Sequence, residues 1–169
     1  MPQRSREEFA EFVVARQSHM LRTAYLLCND RQFAEDIVQQ ILEKLYVAWP
    51  KVAAARSPDA YVRKAIMNLY LDEMRRAWRH RERSTADPTD GRSELRPPSL
   101  DDRVDLARAL SRLPKRQRVV LILRFAEDLS VAETAAVMGC AEGTVKAHTA
   151  AGVRALRQTA EMELQGAGT

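Results

Sequence analysis

The sequence predicts an all-α protein made of two small helical domains joined by a flexible linker. Three observations carry this. Apolar residues recur three or four apart through most of the chain, and strand-like alternation is absent. One stretch breaks the pattern: RSTADPTDGRSELRPPS, from Arg83 to Ser99, sets Pro88, Pro97, Pro98 and Gly91 among serine, threonine and charge. Its composition cannot offset the entropy of ordering it. Finally, 169 residues with 46% hydrophobic content are long for one minimal domain and comfortable for two.

The first helix is expected from about Glu7 to Leu27, with Phe9, Phe12, Val13, Met20, Ala24 and Leu27 on its inner face. Asn29-Asp30 supplies a turn. A second helix, about Phe33 to Trp49, carries Phe33, Ile37, Ile41, Leu45 and Ala48 inward, and Pro50 is expected to stop it. After a connector, Lys51 to Arg56, Ser57 and Pro58 form an N-cap and first helical position. The third helix then runs from about Asp59 to Arg79, with Val62, Ile66, Leu69 and Ala77 inward.

Beyond the linker a short helix, about Leu100 to Leu110, precedes one opened by Pro114 that carries Val119, Val120, Leu121, Leu123 and Phe125. Ser130 and Glu133 have the spacing of a capping box, so a helix is expected from Ser130 to Met138. Gly139-Cys140-Ala141 is a tight turn. The last helix spans about Glu142 to Leu164, with Val145, Thr149, Gly152 and Leu156 inward, and the tail should fray. The expected organisation is therefore residues 1–82, a linker at 83–99, a second domain at 100–165 and a tail at 166–169.

The net charge of +4 and a pI near 9.3 suit a polyanionic partner. No stretch approaches the roughly 20 apolar residues needed to cross a bilayer, so no membrane insertion is expected. The N-terminus, MPQRSREEFAEF, has acids where a signal peptide needs an apolar core. Cys28 and Cys140 are far apart, form no CxxC pair and read as buried structural thiols. The expectation is a cytoplasmic, reduced protein without metal or cofactor. It is not an enzyme: there is no glycine-rich phosphate loop and no His–carboxylate set, and His19, His80 and His148 lie in three different helices.

Ser130 to Arg157 has the layout of a helix-turn-helix: a short capped helix, a glycine turn and a longer helix with cationic outer positions. The first helix would brace across phosphates while the second enters the major groove. Thr144, Lys146, His148, Arg154 and Arg157 point away from the inner stripe. The same spacing also fits an ordinary helical hairpin with a solvated basic face. Arg75, Arg76, Arg79, Arg81 and Arg83, with Trp78 and His80 interleaved, form a run suited to tracking phosphates and stacking on bases, and Arg63, Lys64 and Asn68 extend it. On the second helix Asp36, Gln39, Gln40 and Glu43 fall on one side, either as a solvated face or as a docking face for a basic protein.

AEDIVQQILEKLYVAW (34–49), DAYVRKAIMNLYLDEMRRAWR (59–79) and LPKRQRVVLILRFAEDLSVAETAAVMGCAEGTVKAH (113–148) together resemble an extracytoplasmic-function (group 4) factor of the sigma-70 family, in particular the short actinobacterial sigma-E type. The resemblance runs from about Arg6 to Arg157. It implies a factor that binds core RNA polymerase and directs promoter recognition, melting of the −10 element and transcription initiation. Asp36, Gln39, Gln40 and Glu43 would dock on the clamp of the largest subunit, with Gln40 standing where glutamate is common. The C-terminal domain would meet the flap of the second-largest subunit. The loop from Trp49 to Ser57, with Lys51 and Arg56, would capture a flipped −10 base. Asn68 would read the melted strand, held by Arg63, Arg75, Arg76 and Arg79.

For the −35 duplex the resemblance points to Arg124, Thr144, Lys146, Ala147, His148, Ala150, Ala151 and Arg154. Here the chain departs from the family, which often has serine after the lysine and an arginine before the glycine; this chain has Ala147, Ala150 and Ala151. Alanine can touch a thymine methyl but cannot form a bidentate guanine contact, worth about 1–3 kcal/mol of discrimination. Promoter DNA and an anti-sigma factor are the other implied partners. A helix-turn-helix regulator acting without polymerase docking is the competing reading, and it leaves the N-terminal domain unexplained.

Overall fold

Short polar side chains mark where the N-terminal helices begin. The Asp30 carboxylate accepts from the Phe33 N–H at 2.9 Å, and Ser57 Oγ accepts from the Ala60 N–H at 3.2 Å. Each satisfies a donor that a helix start leaves unpaired. Asn29, left-handed at φ 51°, ends the preceding helix and donates its N–H to the Tyr25 carbonyl. The computed structural model describes residues 1–83 and 102–166, which fall into two units, Met1–Pro98 and Ser99–Thr169. Most of the expected linker and the last three residues lie outside the described residues.

The first unit contains α1 (Gln3–Cys28), α2 (Arg31–Ala53) and α3 (Pro58–Arg83). Its core joins Met20, Ala24 and Leu27 of α1 to Ile37, Ile41, Leu45 and Trp49 of α2 and to Val62, Ile66, Met67 and Tyr70 of α3. Trp49 is wedged under α1, its ring centroid 5.4 Å from Phe9 and 5.0 Å from Phe12. An ion pair at 2.8 Å ties Arg16 of α1 to Asp59 at the start of α3. Both partners are about half exposed, so the pair orients more than it stabilises.

Pro50 does not stop the second helix, which continues through Ala53. Proline removes one backbone donor and normally costs about 3 kcal/mol inside a helix. Here Trp49 and Val52, on either side of it, are both buried, and burying such side chains returns about 1.5–3 kcal/mol each. Lys51, expected on a loop, therefore lies in the last helical turn, and Arg83, expected to open the linker, closes α3. Cys28 and Cys140 are half-buried rather than buried. The Cys28 thiol donates to carbonyls of Ala24 and Asp30 at 3.1 and 3.2 Å. The side chain of Ala77 lies outside the described residues.

The second unit holds α4 (Asp102–Ser111), α5 (Lys115–Leu121), a π-helical turn (Ile122–Ala126), α6 (Val131–Met138) and α7 (Glu142–Gly166). Pro114 sits at the N-cap of α5 rather than at its first helical position. The Arg118 guanidinium donates to the carbonyls of Leu110, Ser111 and Leu113 at 2.9, 2.8 and 3.2 Å, capping the C-terminal end of α4. After the π turn, Glu127 donates to the Ile122 carbonyl and Leu129 to that of Leu123.

The helix-turn-helix is built as its sequence dictates. Ser130 Oγ accepts from the Glu133 N–H at 3.1 Å, and the Glu133 carboxylate accepts from the Ser130 N–H at 2.8 Å. Gly139, at φ 64°, takes the left-handed conformation that ends α6. Val120, Ala135 and Val145 form a core against which Val131, Met138 and Cys140 pack. Gly152 lets α7 cross α5 closely: a Cβ there would stand 2.9 Å from Leu121 Cδ1. Ser130→Ala removes half of the capping box and should cost about 1 kcal/mol. That lowers the melting midpoint of this unit by roughly 4–8 °C, read by circular dichroism; an unchanged midpoint would deny the cap its role.

Candidate polymerase and nucleic-acid interfaces

α2 buries Ile37, Ile41 and Leu45, which turns Gln32, Asp36, Gln39, Gln40 and Glu43 to solvent along the opposite side. Gln32 donates to Asp36 and Gln39 to Glu43, both at 3.3 Å. This stripe carries carboxylates and amides but no cation, and the four docking residues expected from sequence share it. Such a face offers acceptors to a basic partner.

The outer face of α3 differs. Lys64, Asn68 and Arg75 are exposed, while Arg63 is half-buried. Tyr61, also exposed, falls on the same stripe as Lys64, Asn68 and Arg75, and sequence reasoning passed over it. Its position seven residues before Asn68, opposite the buried Val62 and Ile66, was the available signal. Arg75 pairs with Asp72 at 3.4 Å and Arg76 with Glu73 at 3.2 Å, so the basic run is partly neutralised within its own helix. Lys51 and Arg56 are exposed at and just after the end of α2. Arg79 lies on α3, but its side chain, like those of Trp78, His80, Arg81 and Arg83, lies outside the described residues.

In the second unit a groove of about 540 Å³ opens beside the recognition helix α7, and its lining includes Arg124, Lys146, Ala150, Arg154 and Arg157. Four guanidinium or ammonium groups around one concavity make it a site for a polyanion. Arg124 comes from the π turn. Its guanidinium donates to the Leu129 carbonyl and lies 5.8 Å from the centroid of Phe125, a ring that is 63% exposed. Arg124 thus steadies the loop entering α6 while its charge faces the groove. Thr149 donates its hydroxyl to the Val145 carbonyl at 2.7 Å, so that hydroxyl is used within the helix. Thr144, Lys146, Ala147, Ala150 and Arg154 are exposed, and His148 and Ala151 are half-buried. The structure therefore gathers Arg124, Lys146, Ala150 and Arg154 at the groove and places Thr144 and Ala147 on the neighbouring surface.

Among the described residues no three histidine, cysteine or acidic side chains are grouped to hold a metal ion. None of the described helices is long and apolar enough to cross a membrane.

Comparison with known proteins finds two family models in this order. Residues 12–80 match Sigma-70 region 2, and residues 103–156 match Sigma-70, region 4. The RNA polymerase sigma-E factor of Streptomyces antibioticus is 36% identical over 154 residues, covering 91% of this chain and 85% of the relative. The sigma-E factor of Streptomyces coelicolor is 35% identical over 146 residues, 82% of this chain and 78% of the relative. The ECF RNA polymerase sigma factor SigL of Mycobacterium tuberculosis is 33% identical over 145 residues, covering 82% and 80%. Among solved structures, the sigma factor RpoE of Bartonella quintana, solved with the anti-sigma factor NepR, superposes with a TM-score of 0.77 at 24% identity, covering 92% of this chain and 98% of that one. CnrH, solved with the cytosolic domain of CnrY, gives 0.66 at 18% identity over 93% of this chain and 90% of that one. At those identities the two structures speak for the fold alone.

Proposed function

The chain belongs to the sigma-70 family of RNA polymerase sigma factors, in its extracytoplasmic-function group of the actinobacterial sigma-E type, and we propose that its two units divide promoter recognition between them. It is a factor that binds core RNA polymerase and directs it to promoters. Residues 1–82 form the domain that docks on polymerase and holds the −10 strand, and residues 100–165 the domain that reads the −35 duplex, with 83–99 as the connection. Asp36, Gln39, Gln40 and Glu43 meet the clamp of the largest subunit, and the C-terminal domain meets the flap of the second-largest. Asn68 reads the melted −10 strand. Arg63, Arg75, Arg76 and Arg79 hold its backbone, and Lys51 and Arg56 flank the base-capturing loop.

Within the first unit, the observation that carries the reading is the contrast between the outer faces of α2 and α3. One stripe of α2 carries Asp36, Glu43 and amides without a cation, while the outer stripe of α3 carries Lys64, Asn68 and Arg75 beside Tyr61 and Asp72. A polymerase surface and a nucleic-acid strand can therefore be bound by neighbouring faces of one small domain. Strand separation is supported by binding energy alone, as fits a family whose members are not enzymes. The work is cytoplasmic, where core polymerase is. An anti-sigma factor is a further partner, which would act by covering the polymerase-binding surfaces; the structural neighbour RpoE was solved with the anti-sigma factor NepR.

Run-off transcription with core polymerase on fragments of the host genome tests the reading. Start sites should appear only when this protein is added, and their absence would sink it. Asn68→Ala should reduce open-complex formation about tenfold, in line with the loss of one base contact, while upstream duplex binding stays within about twofold. Permanganate footprinting and duplex binding measure the two, and equal losses would remove Asn68 from strand reading.

A further inference from the structure

The exposed ridge of α7 departs from what a helix lying in a major groove usually presents. Val145 and Gly152 are buried, so the side of the helix farthest from the core carries Gly143, Ala147, Ala150 and Arg154, spaced four, three and four residues apart. All four are exposed. Base edges are read mainly by the first turns of such a helix. In this helix those turns offer two methyl groups and no guanidinium or carboxamide. Arg154 stands seven residues beyond Ala147 and four beyond Ala150, roughly 10 and 6 Å farther along the axis. It belongs with Arg124, Lys146 and Arg157 around the groove, a ring of charge suited to phosphates, and Ala150 borders the same groove. Lys146 sits on the flank of the ridge among the cations of the groove; its ammonium can meet guanine O6 and N7, but from the flank rather than at the base pairs that face the two alanines.

We infer that the base pairs facing Ala147 and Ala150 in the upstream promoter duplex are specified by thymine, through contact of its C5-methyl group with the alanine methyls, and that no guanine is specified there. The inference rests on the reading of the C-terminal unit as the duplex reader. The ring of cations anchors the helix, and small side chains let its backbone sit low enough for methyl contacts. The major-groove edge of thymine carries the only methyl group among the four bases, so an apolar ridge has one base to select.

The test uses the full chain with core polymerase on a promoter mapped by the run-off experiment. Deoxyuridine replaces thymine at single upstream positions, removing only the methyl group. At the two positions facing Ala147 and Ala150, binding should weaken about three- to fivefold each, the scale of one buried methyl. Replacing T·A there by 5-methylcytosine·G keeps the methyl and should retain part of the affinity. Ala150→Arg supplies the missing fork and should shift the preference at its position to guanine. Ala150→Ser, with an unchanged melting midpoint, should abolish the difference between thymine and deoxyuridine at that position. Indifference to deoxyuridine throughout the element, or a tenfold loss with 7-deazaguanine opposite the alanines, overturns the inference while leaving promoter direction intact. Absence of any start site overturns the reading beneath it instead.

Discussion

Replacing Asp36 by arginine should abolish co-purification with core RNA polymerase while leaving the fold unchanged. Asp36 is exposed in the middle of the α2 polar stripe, and the only hydrogen bond described for its carboxylate is the 3.3 Å contact from Gln32. The substitution therefore removes little from the folded state, and a surface change of this kind stays within about 0.5 kcal/mol of the parent. At an interface the account differs. A cation placed against a basic partner replaces attraction by repulsion, and such juxtapositions cost several kcal/mol. On that scale the dissociation constant rises about 100-fold or more. Affinity measured by anisotropy, with a thermal melt on the same sample, decides the matter. Near-parental affinity in a folded variant would remove the stripe from the docking surface.

The second large effect is on stability. Trp49→Ala should cost the N-terminal unit about 3–5 kcal/mol, a large part of the 5–15 kcal/mol that holds a typical domain together. Trp49 is only 3% exposed and is clasped by Phe9 and Phe12, so truncation both opens a cavity and strips two aromatic contacts. The Trp49 indole N–H is buried without a hydrogen-bond partner. Trp49→Phe gives up no hydrogen bond and keeps most of the ring packing, so it should cost no more than about 1–2 kcal/mol. Calorimetry on the two variants separates packing from mere aromatic presence. Equal losses, or a loss below about 1 kcal/mol for Trp49→Ala, would contradict the wedge.

These two residues also show what periodicity can and cannot reveal. Asp36 is legible in sequence because the apolar stripe of Ile37, Ile41 and Leu45 fixes which way α2 must turn. The continuation of α2 past Pro50 is not, because a local rule about proline is overridden by the burial of Val52, which depends on the rest of the fold. Arg75 and Arg76 read as free charge only when Asp72 and Glu73, three residues earlier, are ignored. Met67 escapes the inward stripe because α3 packs against both α1 and α2 and buries a wider face than one stripe covers. In the C-terminal unit the capping box and Gly139 were written in residue types whose chemistry allows few other uses. The internal hydrogen bond of Arg124 was not, since it depends on how the chain returns after the π turn.

That turn sets a phase. In an α-helix each residue advances the chain by about 100° and 1.5 Å, whereas Ile122–Ala126 accommodates one residue more per turn. The extra residue sets the direction in which the chain leaves α5 for the loop that ends at the Ser130 cap. Deleting a single residue between Ile122 and Ala126 would leave the composition of the recognition helix untouched. It would nevertheless change by about a quarter turn the direction in which the chain leaves the turn, and the loop at 127–130 would have to absorb that change for Gly152 to stay against Leu121. On the proposed reading, the bases that Ala147 and Ala150 meet would thus depend on the length of a turn that lies outside the recognition helix.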